Sequence, residues 1–312
     1  MAGDTKHIAS VVATYWFVSI SMVYLNKILM SSEGVSISAP LFITWFQCVV
    51  TALICWVAGK VSESLQKTAS EALPLTSNGK KGGGNSFFSQ FPKATYDAET
   101  GKKILPLSLV FVGMITFNNL CLKLVEVSFY NVARSLTIVF NVFLSQFILG
   151  STTTLRTGLC LLIVIAGFFL GAKGEAKFSL IGTLFGICSS LFVSLNSIFT
   201  KKLLPAVQND HWRLTFYNNV NAIVLFTPMI LYFEAATLYH ALGQQLISPL
   251  FWGAMLVAGC FGFSIGIVTV MQIKATSPLS HNISGTAKAA VQSMMAFYIW
   301  KNPATFMGVT GM

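Results

Sequence analysis

A chain of 312 residues that is 54% hydrophobic and only 10% charged, with a mean hydropathy of +0.70, lies far from the roughly 25% charge of a soluble domain and belongs in a lipid bilayer. The net charge of +10 comes without a basic stripe interleaved with aromatics, so nucleic-acid binding has no support. The six cysteines all fall inside apolar runs without C-x-x-C spacing. They read as packing residues, and no His/Cys/carboxylate cluster calls for a metal or a cofactor.

Apolar runs recur at about 8–30, 40–58, 104–122, 128–149, 155–171, 178–200, 212–233, 250–273 and 281–300. Each is long enough to cross roughly 30 Å of hydrocarbon as a helix. The first is too long and too polar at its ends for a cleaved signal peptide and reads as a retained helix. Residues 59–103 form the one long polar segment, with Gly79-Lys80-Lys81-Gly82-Gly83-Gly84 at its centre, and are expected to be a flexible cytosolic loop. The other connections are short, which predicts one transmembrane domain over 1–312. Assigned alternately to two faces, the connections place thirteen Lys or Arg on the N-terminal side and five opposite. That bias predicts a multi-pass protein with its N-terminus in the cytosol.

The remaining two cations, Arg134 and Lys288, lie inside apolar runs. A charge at membrane depth costs about 2.5–3.5 kcal/mol on insertion scales and normally faces a polar cavity. The two also sit at similar places in two weakly similar halves. Lys123–Val132 aligns with Lys274–Ile283 at an offset of 151, and Phe42–Phe46 with Arg213–Tyr217 at an offset of 171. Repeats over about 8–171 and 178–312 follow, the second inverted in the membrane, as in many secondary transporters.

Residues at i, i+4, i+7 and i+11 share one helix face. One such face carries Tyr130, Arg134, Thr137, Asn141 and Ser145; another carries His281, Ser284, Gly285, Lys288 and Gln292. Tyr217, Asn218 and Asn221 cluster with Asn219 beside them, Asn118 and Asn119 are adjacent, and Tyr15 and Ser19 share a side with Asn26. Membrane helices use such residues as interhelical glue, but stripes on several helices, two with a cation, point to a hydrated cavity. Two cations and no carboxylate on these faces call for an anion. Arg134 offers a bidentate fork for phosphate oxygens and Lys288 a point charge. Tyr217, Asn218, Asn219 and Asn221 can read a base by stacking and hydrogen bonding. A lone phosphate or a dicarboxylate fits the charges but leaves the asparagines unexplained. Tyr15, Asn118, Asn119, Tyr130, Ser284, Gly285 and Thr286 complete the expected lining.

Four runs carry a family resemblance. Trp212-Arg-Leu-Thr-Phe216-Tyr217-Asn218-Asn219-Val-Asn221 is similar to the F-Y-N-N motif of GDP-sugar transporters, and Ser277–Lys288 resembles the motif that accompanies it. Ile115–Lys123 and Phe129–Thr137 extend the match. Together they resemble the GDP-fucose carriers of the Golgi, within the nucleotide-sugar transporter family of the drug/metabolite transporter superfamily. The resemblance implies ten helices as two inverted five-helix repeats in an all-α polytopic membrane protein. It implies antiport of cytosolic GDP-fucose against GMP from the Golgi lumen, with no enzymatic activity. It places guanine on Asn218 and Asn219, phosphates on Lys288 and Tyr15 in the lining. Relatives specific for GDP-mannose carry G-A-L-N-K where this chain has Ser284-Gly285-Thr286-Ala287-Lys288, and the missing asparagine argues for fucose. Past Lys301 and Asn302 only Pro303–Met312 remain, at most ~15 Å of helix, so the tenth helix is expected to be truncated. Alternatives left open are exchange of GDP-mannose or another nucleotide sugar or sugar phosphate, a membrane-embedded glycan-related enzyme, and an inactive truncated form. A homodimer and residence in the endoplasmic reticulum also stay open.

Overall fold

Each of the nine apolar runs forms a helix in the computed structural model, which describes residues 2–31, 37–71, 95–125, 127–152, 154–173, 179–243 and 245–300. In chain order these are α1 (Ala2–Ser31), α2 (Pro40–Glu71), α3 (Ala98–Leu124), α4 (Val127–Leu149), α5 (Leu155–Lys173), α6 (Leu180–Leu203), α7 (His211–Phe233), the short α8 (Ala235–Ala241), α9 (Pro249–Ala275) and α10 (Pro278–Trp300). No strand occurs among the described residues. Six of these helices contain spans long and apolar enough to cross a membrane: α2, α3, α4, α6, α7 and α9. The protein is a polytopic, all-helical membrane protein. Residues 301–312, where a tenth long helix was expected to be cut short, lie outside the described residues.

Local chemistry sets the helix ends. Asp97 caps α3, accepting from the amides of Glu99 and Thr100 and from the Thr100 hydroxyl. Those bonds, the Thr100 hydroxyl first, hold its carboxyl below the usual carboxylate range. Ser179 and Asp210 cap α6 and α7 in the same manner, as short polar side chains do at orphan amides. Pro249 and Pro278 open α9 and α10, where the missing N–H costs nothing.

The polar segment expected as a loop over 59–103 is helical at both ends. α2 runs on to Glu71 and α3 starts at Ala98. Polarity alone does not end a helix: Lys60 and Glu63 pair at i,i+3 (3.8 Å) and Lys103 and Glu99 at i,i+4 (2.8 Å) on faces open to water. Residues 72–94, including the glycine-rich centre, lie outside the described residues.

α5 stands outside the bundle against α4, joined by Val132, Leu136, Val139, Leu161 and Phe168. The start of α2, α8 and the start of α9 meet at one end around Ile37, Ile43, Phe251 and Met255. At the other end Ile104, Leu107, Leu204, Leu214, Tyr217 and Val270 pack α3, α6, α7 and α9 together. The lysines Lys201 and Lys274 lace that end: Lys201 donates to the carbonyls of Ile273 and Lys274 (both 3.2 Å), and Lys274 to the carbonyl of Asn209 (2.7 Å). Close approach requires glycine at Gly186, where a Cβ would stand 2.9 Å from Ala133 Cβ, whereas nothing lies within 4 Å of one at Gly167. Glu234, buried at the α7–α8 junction, accepts from the Leu41 and Phe42 amides (2.9 and 2.8 Å). It acts as a cap delivered to α2 from another helix.

Candidate functional site

A cavity of about 360 Å³ runs between the helices, lined by every helix except α5 and α8. That volume lies within the range of small-molecule sites. Arg134 of α4 and Lys288 of α10 both line it, and among the described residues no Asp or Glu does. Lys288 is 6% exposed. It donates to the Ser19 hydroxyl, and its Nζ stands 5.6 Å from the centroid of the Tyr15 ring, within cation–π range. Arg134 is held through a relay: its Nη1 donates to Tyr130 Oη (3.3 Å), Tyr130 donates to Asn118 Oδ1 (3.2 Å), and Asn118 Oδ1 also accepts from Ser189. Both cations are therefore oriented by neutral groups, and among the described residues no lining carboxylate cancels either charge. His281 also lines the cavity, edge-on to Tyr15 at 5.1 Å and 2.9 Å from Gln272 Oε1.

α7 divides its polar cluster between two faces. Asn218 and Asn219 line the cavity; Tyr217 and Asn221 do not. Tyr217 Oη accepts from the Asp97 amide (3.0 Å) and donates to the Thr95 carbonyl (3.1 Å). Asn221 donates to the Gly101 carbonyl (2.9 Å) and accepts from Tyr96 (2.8 Å). Successive residues of a helix turn by about 100°, so 217 and 221 share a face that the next two residues leave. The base-reading role expected for Tyr217 and Asn221 has no geometric support; these two side chains fasten the entry of α3 to α7. Tyr217→Phe is accordingly expected to lower the thermal midpoint in detergent by a few degrees, from the loss of about 1–3 kcal/mol of buried hydrogen bonding, with KM unchanged. A ten-fold rise in KM at unaltered stability would return Tyr217 to the ligand.

Among the other expected lining residues, Tyr15 and Asn118 face the cavity. Tyr130 stands behind Arg134. Asn119 borders a separate crevice with Glu234 and Pro40. Ser284 accepts from Trp16 Nε1 (2.8 Å) and joins α10 to α1, and Thr286 bonds the Asn282 carbonyl of its own helix. A Cβ at Gly285 would come to 3.6 Å from Tyr15 Oη, ordinary contact. The α4 stripe also splits: Asn141 donates to Ser197 (3.0 Å) and accepts from Ser145 (3.3 Å). Asn282 donates to the same Ser197 (2.9 Å), joining α6 to α10 at the cavity wall.

Two polar stripes in the lining escaped the sequence reading. Thr44, Gln47 and Thr51 come from α2, and Asn196, Ser197 and Thr200 from α6. Spacings of three, four and seven on α2, and of three and four on α6, are the signal that would have found them. Leu107, Phe111, Met114, Ile115 and Leu214 supply apolar walls, suited to the flat faces of a ring.

The model of the Triose-phosphate Transporter family matches residues 6–312. A protein of Nematostella vectensis named GDP-fucose transporter 1 is 47% identical over 300 residues, 95% of this chain and 82% of its own length. One of the same name from Mus musculus is 46% identical over 303 residues, 96% of this chain and 78% of its own. The Drosophila melanogaster protein named "GDP-fucose transporter, Golgi" is 42% identical over 294 residues, 92% and 80% of the two lengths. A solved crystal structure shares the fold at a TM-score of 0.60 and 11% identity, over 98% of this chain and 92% of that one.

Proposed function

This chain belongs to the Triose-phosphate Transporter family, and we propose that it carries GDP-fucose from the cytosol into the Golgi lumen in exchange for GMP. The observation that carries the reading is the cavity with two cations, no lining carboxylate and an asparagine pair on the facing helix. Lys288 and Arg134 hold the phosphates; Asn218 and Asn219 read the base. The names of the relatives support the choice of nucleotide sugar.

Transport proceeds by alternating access in a bundle of two inverted five-helix repeats, with the N-terminus cytosolic. Exchange follows from charge. An empty cavity with two uncompensated cations meets the cost of an unpaired buried charge whenever it closes. A bound nucleotide removes that cost in both orientations. A ligand drives switching only through such differential stabilisation.

The test uses proteoliposomes loaded with GMP and labelled GDP-fucose outside, with GDP-mannose and UDP-galactose as competitors. Uptake that requires internal GMP and resists UDP-galactose supports the reading. Uptake independent of internal GMP, or blocked by UDP-galactose, overturns it.

A further inference from the structure

The two cavity asparagines are turned in opposite senses. Asn219 donates from Nδ2 to the carbonyl of Thr215 (2.8 Å). A backbone carbonyl only accepts, so this bond sets the carboxamide: nitrogen back along α7, Oδ1 left as an acceptor. Asn218 is turned the other way by a different helix. Ser108 of α3, 0% exposed, donates its hydroxyl to Asn218 Oδ1 at 3.0 Å. The next nearest acceptors are the carbonyls of Asn218 and Ile104, at 3.4 and 3.5 Å. With Oδ1 engaged, Asn218 has its Nδ2 hydrogens to offer. α7 therefore presents one donor beside one acceptor, in a set order.

We infer that Ser108 is a positioning residue that sets the polarity of this pair, and that the polarity selects 6-oxopurines over 6-aminopurines. The inference rests on the base-reading role proposed above for Asn218 and Asn219. A 6-oxopurine offers the acceptor O6 next to the donor N1–H. A 6-aminopurine offers a donor at the 6-amino group next to the acceptor N1, the reverse order. Asn218 Nδ2 and Asn219 Oδ1 match the first and set donor against donor and acceptor against acceptor with the second. A carboxamide without Ser108 could rotate to suit either ring; turned over beside Ser108, it would donate to the serine oxygen and leave the hydroxyl hydrogen only carbonyls at 3.4 and 3.5 Å, so the hydroxyl favours the observed order over its reverse. The pair makes no use of the 2-amino group of guanine, so IMP should behave as GMP does.

The experiment measures inhibition of GDP-fucose uptake by GMP, IMP and AMP in proteoliposomes of the wild type, Ser108→Ala and Ser108→Thr. Wild type is expected to bind GMP and IMP alike and AMP at least about ten-fold more weakly, the scale of one mismatched buried hydrogen bond. Ser108→Ala is expected to shrink the GMP-to-AMP ratio by about ten-fold, through weaker GMP and IMP. Ser108→Thr, which keeps the hydroxyl, is expected to retain the ratio. A merely structural role would lower activity without moving this ratio. An unchanged ratio in Ser108→Ala, beside a discriminating wild type, overturns the positioning role and leaves the base-reading role standing. A wild type that binds GMP and AMP equally overturns the base-reading role itself. If Ser108→Ala is too slow to assay, the GMP- and AMP-induced shifts of its thermal midpoint yield the same ratio.

Discussion

Lys288→Ala is expected to lower GDP-fucose exchange by about two orders of magnitude while the empty protein unfolds at an unchanged or higher temperature. Lys288 is almost fully buried and is oriented by the Ser19 hydroxyl and the Tyr15 ring. A charge held so, with no carboxylate in the lining, opposes folding of the empty carrier; its removal relieves that cost. With ligand bound the sign reverses. A charge-assisted bond to a phosphate contributes about 1.5–3 kcal/mol, and its loss leaves Arg134 alone against a doubly charged ligand. A thermal-shift titration separates the two effects. GMP at 100 times its Kd stabilises a protein that binds it by about 2.7 kcal/mol, and this shift should vanish in Lys288→Ala. Exchange and a GMP shift that both persist in Lys288→Ala would remove the phosphate role. Loss of exchange together with a lower midpoint of the empty protein would make Lys288 a structural residue.

Arg134→Lys is expected to raise KM for GDP-fucose about ten-fold, and Arg134→Ala to raise it further and depress the maximal rate. The guanidinium reaches Tyr130 through one nitrogen and keeps further donors in a rigid fork, the geometry that grips two phosphate oxygens together. Lysine preserves the charge but offers a flexible point contact. Tyr130→Phe keeps the guanidinium but removes its tether, together with the bond to Asn118, and should have a smaller effect in the same direction, because Arg134 then searches more rotamers before binding. Concentration-dependent uptake by the three variants checks the order. Equal KM values for Arg134→Lys and the wild type would show that charge alone matters there.

The membrane class and the helix positions were legible in the sequence because both follow from local chemistry. A segment of about twenty apolar residues has one stable arrangement in hydrocarbon, a helix. The runs at 104–122 and 212–233, for example, lie within α3 and α7 to within a few residues. The ends were less legible. α2 extends to Glu71 because its last turns satisfy their amides internally and their side chains in water, so hydropathy marks where hydrocarbon stops but not where the helix does. α8 escaped notice since seven residues carry too little periodicity to register.

The chemistry of the site divides along the same line. Arg134 and Lys288 stand out in any reading of the chain, because an ionised group amid apolar residues is costly wherever its helix points. Asn218 and Asn219 stand out as part of a local motif. The sequence by itself thus determined an all-helical membrane protein with two interior cations and an asparagine pair. Only the tertiary structure decided that Tyr217 and Asn221 face the entry of α3, that Asn119 turns to a separate crevice, and that α2 and α6 add polar stripes to the lining. The physical reason is rotation. One residue changes a side chain's direction by about 100°, and the neighbour it then meets depends on how distant helices pack, which no local pattern contains. The same reason hid Ser108, an unremarkable serine in sequence whose partner Asn218 lies 110 positions away on another helix.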